Sequence, residues 1–222
     1  MRLLLLLISV LLLTSCDEVS RVNFAQPFPA SVPNLRIFPA RHQGRYVMPT
    51  DSTRQLLVTP TIIWSETMWT FTSTQQKLDS AGLITASYPL GVWHPATDGR
   101  YRVRAGAADT LCLDKWLCDT LCALTPDFKG RVRWYQGAYY LNQPVHEEKW
   151  SVERLVLNGR DLSWQRFGDD TLRLAVLPVG VVRRVGANDD ARWVLTAKTR
   201  RQEQQIARYD GLWAPHREMV RQ

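Results

Sequence analysis

Trp150-Ser151-Val152-Glu153-Arg154-Leu155-Val156-Leu157-Asn158-Gly159-Arg160-Asp161-Leu162-Ser163-Trp164-Gln165 is the stretch from which the fold can be read. Asn-Gly suits a two-residue type I′ hairpin turn, because both central positions of that turn need positive φ. Such a turn pairs Leu157 with Arg160, Leu155 with Leu162 and Glu153 with Trp164. Leu155, Leu157, Leu162 and Trp164 then share one face, and Arg154, Asp161, Ser163 and Gln165 share the other. Turn chemistry and alternation agree on a half-buried antiparallel pair.

The same period of two recurs outward from this hairpin. Trp69 and Phe71 alternate with Thr70 and Thr72, and Tyr101 and Val103 with Arg100, Arg102 and Arg104. Val132 and Trp134 alternate with Arg131, Arg133 and Tyr135, and Leu172, Leu174 and Val176 with Thr171, Arg173 and Ala175. Gln55 to Ser65 is a further β-rich run that Pro60 breaks or marks as an edge. A third hairpin is expected from Val179 to Val185 and back through Trp193 to Thr196. Thr199-x-x-Gln202 has capping-box form and opens a helix that Gly211 would stop. These readings predict a mainly β chain, an antiparallel β-barrel or two-sheet sandwich with a proline-rich N-terminal tether and a short C-terminal helix.

The near copies Asp109-Thr110-Leu111-Cys112 and Asp119-Thr120-Leu121-Cys122 suggest a second hairpin turning near Lys115-Trp116. In that hairpin Cys112 and Cys118 fall almost opposite each other, within disulfide distance. With Cys122 they form an odd set, open to one structural disulfide, to three free buried thiols, or to metal or redox chemistry. C-x₅-C-x₃-C matches no zinc spacing, C-x-x-C is absent, and no metal or other cofactor is expected.

At the N-terminus, Arg2 precedes an unbroken apolar run from Leu3 to Leu13, and Leu13-Thr14-Ser15-Cys16 follows. Eleven helical residues rise about 16 Å, half the hydrocarbon core of a bilayer, so the run fits a signal-peptide core and not a membrane span. The four residues ending at Cys16 resemble the lipobox of bacterial lipoproteins. That resemblance implies cleavage before Cys16, a thioether-linked diacylglycerol on its sulfur, and acylation (palmitate, for example) of its new amino group. Several acyl chains make such an anchor effectively stable. The expected organisation is a signal peptide over 1–15, a lipid-anchored tether over 16–43 carrying Pro27, Pro29, Pro33 and Pro39, and one β-rich domain over 44–222. The mature 207 residues carry 27 basic and 21 acidic side chains. This modest positive balance suits anionic neighbours, and a chain tethered outside the cytoplasm is not expected to meet nucleic acid.

A second resemblance rests on Phe38-Pro39, Gly44-x-Tyr46, the two Asp-Thr pairs, Tyr140-Leu141-Asn142 and Trp150-x-Val152. These look like uncharacterised β-rich lipoproteins of the Bacteroidetes. The resemblance implies an envelope location, with the outer membrane favoured and the leaflet open, and it carries no activity and no catalytic residues. In such lipoproteins acidic residues after the lipid cysteine resemble surface-export signals, which Asp17-Glu18 fit loosely.

Catalytic constellations are missing. There is no G-x-S-x-G elbow, no S-x-x-K and no phosphate-binding glycine loop. His146-Glu147-Glu148-Lys149-Trp150 begins like a zinc-protease helix, but Trp150 stands where the second histidine is needed. His42, His94, His146 and His216 read as surface histidines, and Asp169-Asp170 and Asp189-Asp190 as turn residues. The chain has nine tryptophans. Trp69, Trp134 and Trp164 fall on apolar faces and are expected in the core, as tryptophan commonly is in β proteins. Trp93 and Trp116 lie near turn signals and are the candidates for ligand-binding aromatics. The expected role is non-catalytic binding or assembly, with the membrane reached through Cys16 and an envelope protein as partner. The alternatives are a lipid or glycan carrier with an aromatic-lined β cavity, and a hydrolase using the acidic pairs.

Overall fold

A computed structural model describes residues 22–80, 90–96, 99–107, 110–145, 149–168, 170–186 and 192–222. The signal sequence, Cys16, His146, Asp169, Asp189 and Asp190 lie outside the described residues. The strands are β1 (Val22–Phe24), β2 (Gly44–Met48), β3 (Asp51–Val58), β4 (Ile62–Thr74), β5 (His94–Ala96), β6 (Gly99–Ala105), β7 (Thr110–Ala123), β8 (Arg131–Tyr135), β9 (Ala138–Pro144), β10 (Trp150–Asn158), β11 (Asp161–Phe167), β12 (Val182–Val185), β13 (Arg192–Leu195) and β14 (Trp213–Arg221). Helix α1 spans Gln75–Ser80 and α2 spans Arg200–Arg208.

Among the described residues the strands form one large sheet in the order β12-β13-β1-β10-β11-β14-β2-β3-β4-β7-β6-β5, with β9 on the other edge of β10 and β8 beyond it. All pairings are antiparallel except β1 with β13. The sheet does not close, so the molecule is sandwich-like and not a barrel.

The Asn158-Gly159 hairpin forms, with one correction of register. Asn158 pairs with Asp161, Leu157 with Leu162 and Leu155 with Trp164. The loop residues are therefore Gly159 and Arg160, and only Gly159 has positive φ, at 63°, the pattern of a type II′ turn. The shift moves each partner by two residues, so every side chain keeps its face. A turn with positive φ at both central residues occurs instead at Gln136-Gly137, between paired Tyr135 and Ala138.

Two apolar clusters lie on opposite faces of β9 and β10. One gathers Phe24, Phe28, Tyr140, Val152, Phe167, Leu195, Ile206 and Trp213 beneath α2. The other gathers Phe38, Tyr46, Leu56, Ile63, Cys122, Tyr139, Leu141, Leu155, Leu162, Trp164 and Met219 inside the curl of the sheet. Alternation explains the division, because Tyr139 and Leu141 point one way and Tyr140 the other. On the α2 side Arg154 is buried: its Nη1 donates to the Ala207 carbonyl at 2.6 Å, its Nη2 to Asp210 at 3.0 Å and its Nε to Gln165 at 2.6 Å. The Trp213 ring lies 4.8 Å from the guanidinium.

Residues 22–43 are woven into this body. β1 lies between β13 and β10. The Phe28 amide donates to Asn142 Oδ1, the Ser31 amide to Glu203 at 2.9 Å, and Arg133 Nη1 to the Pro27 and Pro29 carbonyls. Phe38 is fully buried.

Three expectations need correction. Residues 171–176 form a 3₁₀ turn and not a strand, started by the Asp170 side chain accepting from the Leu172 amide; only Leu174 of its alternate apolar residues is buried. The capping-box helix is present, with Thr199 and Gln202 bonded reciprocally, yet it is followed by β14. Pro215 fits within β14 because a bulge opposite Trp164 and Gln165 relaxes the ladder there. Finally, residues 110–123 are one continuous strand, β7, paired to β4 through thirteen residues. There is no hairpin at Lys115-Trp116.

Candidate functional site

β4 and β7 run well past the body. Thirteen residues of strand extend about 43 Å, but β3 accompanies β4 only as far as Thr67. Beyond that point β4, β7, β6 and β5 form a ribbon. Its inner face continues the side of β4 that carries Ile63 into the core, and there Trp69 is 59% and Phe71 41% exposed. The expectation of a buried Trp69 is overturned: it lies across from Lys115 and stays open, whereas Leu113 and Val103, next to Phe71 on the same face, are buried. Trp164 is buried as expected, and Trp134 packs at the edge of the inner cluster.

The outer face of the ribbon carries polar chemistry. Register places Arg100 beside Trp116, Arg102 beside Asp114 and Arg104 beside Cys112. Asp114 is almost fully buried and accepts from Arg102 Nε at 2.8 Å, from Arg104 Nε at 2.7 Å and Nη2 at 2.9 Å, and from Thr70 Oγ1 at 2.8 Å. The Arg104 guanidinium, aided by Arg102 and Thr70, holds its carboxyl well below the usual carboxylate range. Nearer the body, Glu66 accepts from the Gln55 side-chain amide and from Cys118 Sγ at 3.5 Å, with Arg100 Nη2 at 3.8 Å. Burial, then the Glu66 charge, pushes the Cys118 thiol up to about 11.

Between these two acids the structure brings Trp93 and Trp116 together around one guanidinium. The Arg100 Cζ lies 5.2 Å from the Trp93 ring centroid and 5.7 Å from that of Trp116, and Arg102 lies 4.7 Å from Trp93. Both indoles are half-buried, and the Arg100 side chain keeps 41% of its exposure. Gly99 makes the approach feasible: its φ is +147°, and a Cβ there would sit 1.8 Å from the Trp116 carbonyl oxygen. The Arg100 Nε is buried without a hydrogen-bond partner.

The cysteine expectation is corrected here. Cys112 and Cys118 stand six residues apart on one strand, about 20 Å along it, and both are free, as is Cys122. Burial raises the Cys122 thiol to about 12. His42 packs against Trp134 and Tyr139, and His216 against Trp164. Burial, with Arg166 and Arg217 nearby, lowers His216 to about 4. His94 is buried, against the expectation of a surface histidine.

Two clefts among the described residues flank α2, and neither is lined by tryptophan. Sequence reasoning singled out Trp93 and Trp116 but missed Arg100, Asp114 and Glu66. The one available signal was the run Arg100-x-Arg102-x-Arg104, three cations on one strand face. No family model, curated relative or solved structure matches this chain.

Proposed function

We propose that the protein is a non-catalytic binding or assembly component of the bacterial envelope, held at the outer membrane through lipidated Cys16, with its ribbon as the element that engages a protein partner. The observation that carries this reading is the Trp93–Arg100–Trp116 stack on the outer face. Tryptophan and arginine dominate binding hot spots, and a guanidinium already held between two indoles loses little side-chain freedom on docking. The half-buried indoles supply apolar area, while Arg100, with its Nη2 3.8 Å from Glu66, presents the exposed rest of its guanidinium to a partner carboxylate. Asp114 and Glu66 fix the neighbouring arginines, so the face is pre-organised.

The test is migration of the detergent-solubilised protein on native gels. The wild type is expected in a complex larger than its own mass, and Arg100→Gln, which adds no negative charge beside Glu66, is expected to run free while keeping its fold. Identical migration of the two would remove the stack from the binding role. A second reading draws on the same stack: two indoles beside a cation also suit an acidic sugar. Calorimetric titration with acidic oligosaccharides, giving heat with wild type and none with Trp116→Ala, would favour it.

A further inference from the structure

Far from the ribbon, a second surface combines apolar and cationic groups. Leu172 is 84%, Val176 55%, Val179 103% and Tyr209 42% exposed. Val176 and Tyr209 line a cleft of about 430 Å³ together with Leu177, Arg201, Gln204, Gln205 and Arg208, and Leu172 and Val179 belong to the same segment as Val176. The arginines lie seven residues apart on α2 and so share one stripe, opposite buried Glu203, Ile206 and Ala207. Neither has a hydrogen-bond or ion-pair partner among the described residues, whereas Asp170 is taken by Arg173 and Asp210 by Arg154. The face is therefore cationic with protruding aliphatic side chains, the composition that seats a protein on anionic headgroups.

Chain length points to the same occupant. Five residues separate Cys16 from Val22, where the described chain begins, so Cys16 lies within about 20 Å of Val22 even when the link is fully extended. Val22 pairs with Trp193, which pairs with Arg184. Val181, bonded to Thr196, is two strands across and three residues along from there, about 14 Å from Val22. Val179, two residues before Val181, is then within about 21 Å of Val22, so that edge of the patch is within reach of a bilayer that holds Cys16.

We infer that the surface formed by Leu172, Val176, Val179, Tyr209, Arg201 and Arg208 rests on an anionic bilayer and sets the orientation of the domain. This rests on the reading of Cys16 as the lipid anchor. Oriented this way, the patch divides labour with the ribbon: one end meets lipid and the other meets the partner.

The experiment is hydrogen exchange on the full lipidated protein in nanodiscs of phosphatidylcholine alone or with about one-third phosphatidylglycerol. On the anionic discs, residues 171–181 and 200–209 should exchange about threefold more slowly than on neutral ones, and Arg201→Glu with Arg208→Glu should abolish the difference. The mass of the N-terminal peptide reports the lipid on Cys16 independently. Lipid present with no protection overturns the docking face and leaves the anchor standing. No lipid on Cys16 overturns both. Protection that appears only in native envelope membranes assigns the face to a protein and overturns the inference.

Discussion

β9 and β4 carry comparable apolar side chains and meet different fates. Ala138 to Asn142 of β9 are buried on both faces, between the two clusters. Along β4, the face that starts at fully buried Ile63 reaches Trp69, 59% exposed, and Phe71, 41% exposed. A strand records which side chains share a face, but what lies over that face is decided by distant parts of the chain. In the body the covering layers are β1, β12, β13 and α2. Along the ribbon Leu113 and Val103 stay buried beside half-open Phe71 while Trp69, across from Lys115, is mostly exposed, and the outer face is closed by its own arginines, acids and the two indoles.

The contrast predicts different responses to mutation. Arg154→Ala should be the most damaging, costing about 3–5 kcal/mol, because it strips three hydrogen bonds and a ring contact from a buried site. Denaturant unfolding should show this as a lower midpoint for the whole body. Asp114→Asn should cost less, about 2–3 kcal/mol, since both guanidiniums keep solvent access. Its effect should be local, with faster hydrogen exchange in β4, β6 and β7 and unchanged exchange in β9 and β10. If β9 and β10 also loosen, ribbon and body are one cooperative unit.

Acid should separate the regions as well. Asp114 is depressed in the fold, so its stabilisation is complete above about pH 4, the unfolded-chain value, and is lost as pH falls towards its lower folded value. His216 is also depressed, to about 4 from 6.5, but as a base. The unfolded chain takes up its proton first, so the body loses stability between pH 6.5 and about 4 as pH falls. His216→Gln should flatten melting temperature against pH in that window, and Asp114→Asn should flatten it only below pH 4. The smallest effect is expected for Trp69→Thr, within about 0.5 kcal/mol, because that ring is mostly exposed. A larger loss on calorimetry would mean that it is covered in the intact protein.

Much of the fold was legible because side-chain parity survives errors of register. The Asn158-Gly159 hairpin slipped by two residues, yet Leu155, Leu157, Leu162 and Trp164 kept their common face. The capping box at Thr199 was legible because its partners are local. The repeated Asp-Thr-Leu-Cys misled because it mimics two arms of a hairpin, while Lys115-Trp116 offers none of the glycine, proline or asparagine that a turn requires. Of the candidate site, Trp93 could be named from its neighbouring turn signal, whereas Trp116 was named for a turn that does not exist, since it sits in the middle of β7. Their meeting around Arg100 could not be read, because it depends on β6 lying beside β7.

Under the proposed function the outer face of the ribbon binds and the body holds it. The most direct measurement is photo-crosslinking in living cells, with a photoreactive residue at Thr72 on that face or at Asp127 in an exposed turn of the body. Protein adducts from Thr72, absent from Asp127 and lost on adding Arg100→Gln, are the predicted result. Equal adducts from both positions, or Thr72 adducts that survive Arg100→Gln, would contradict it.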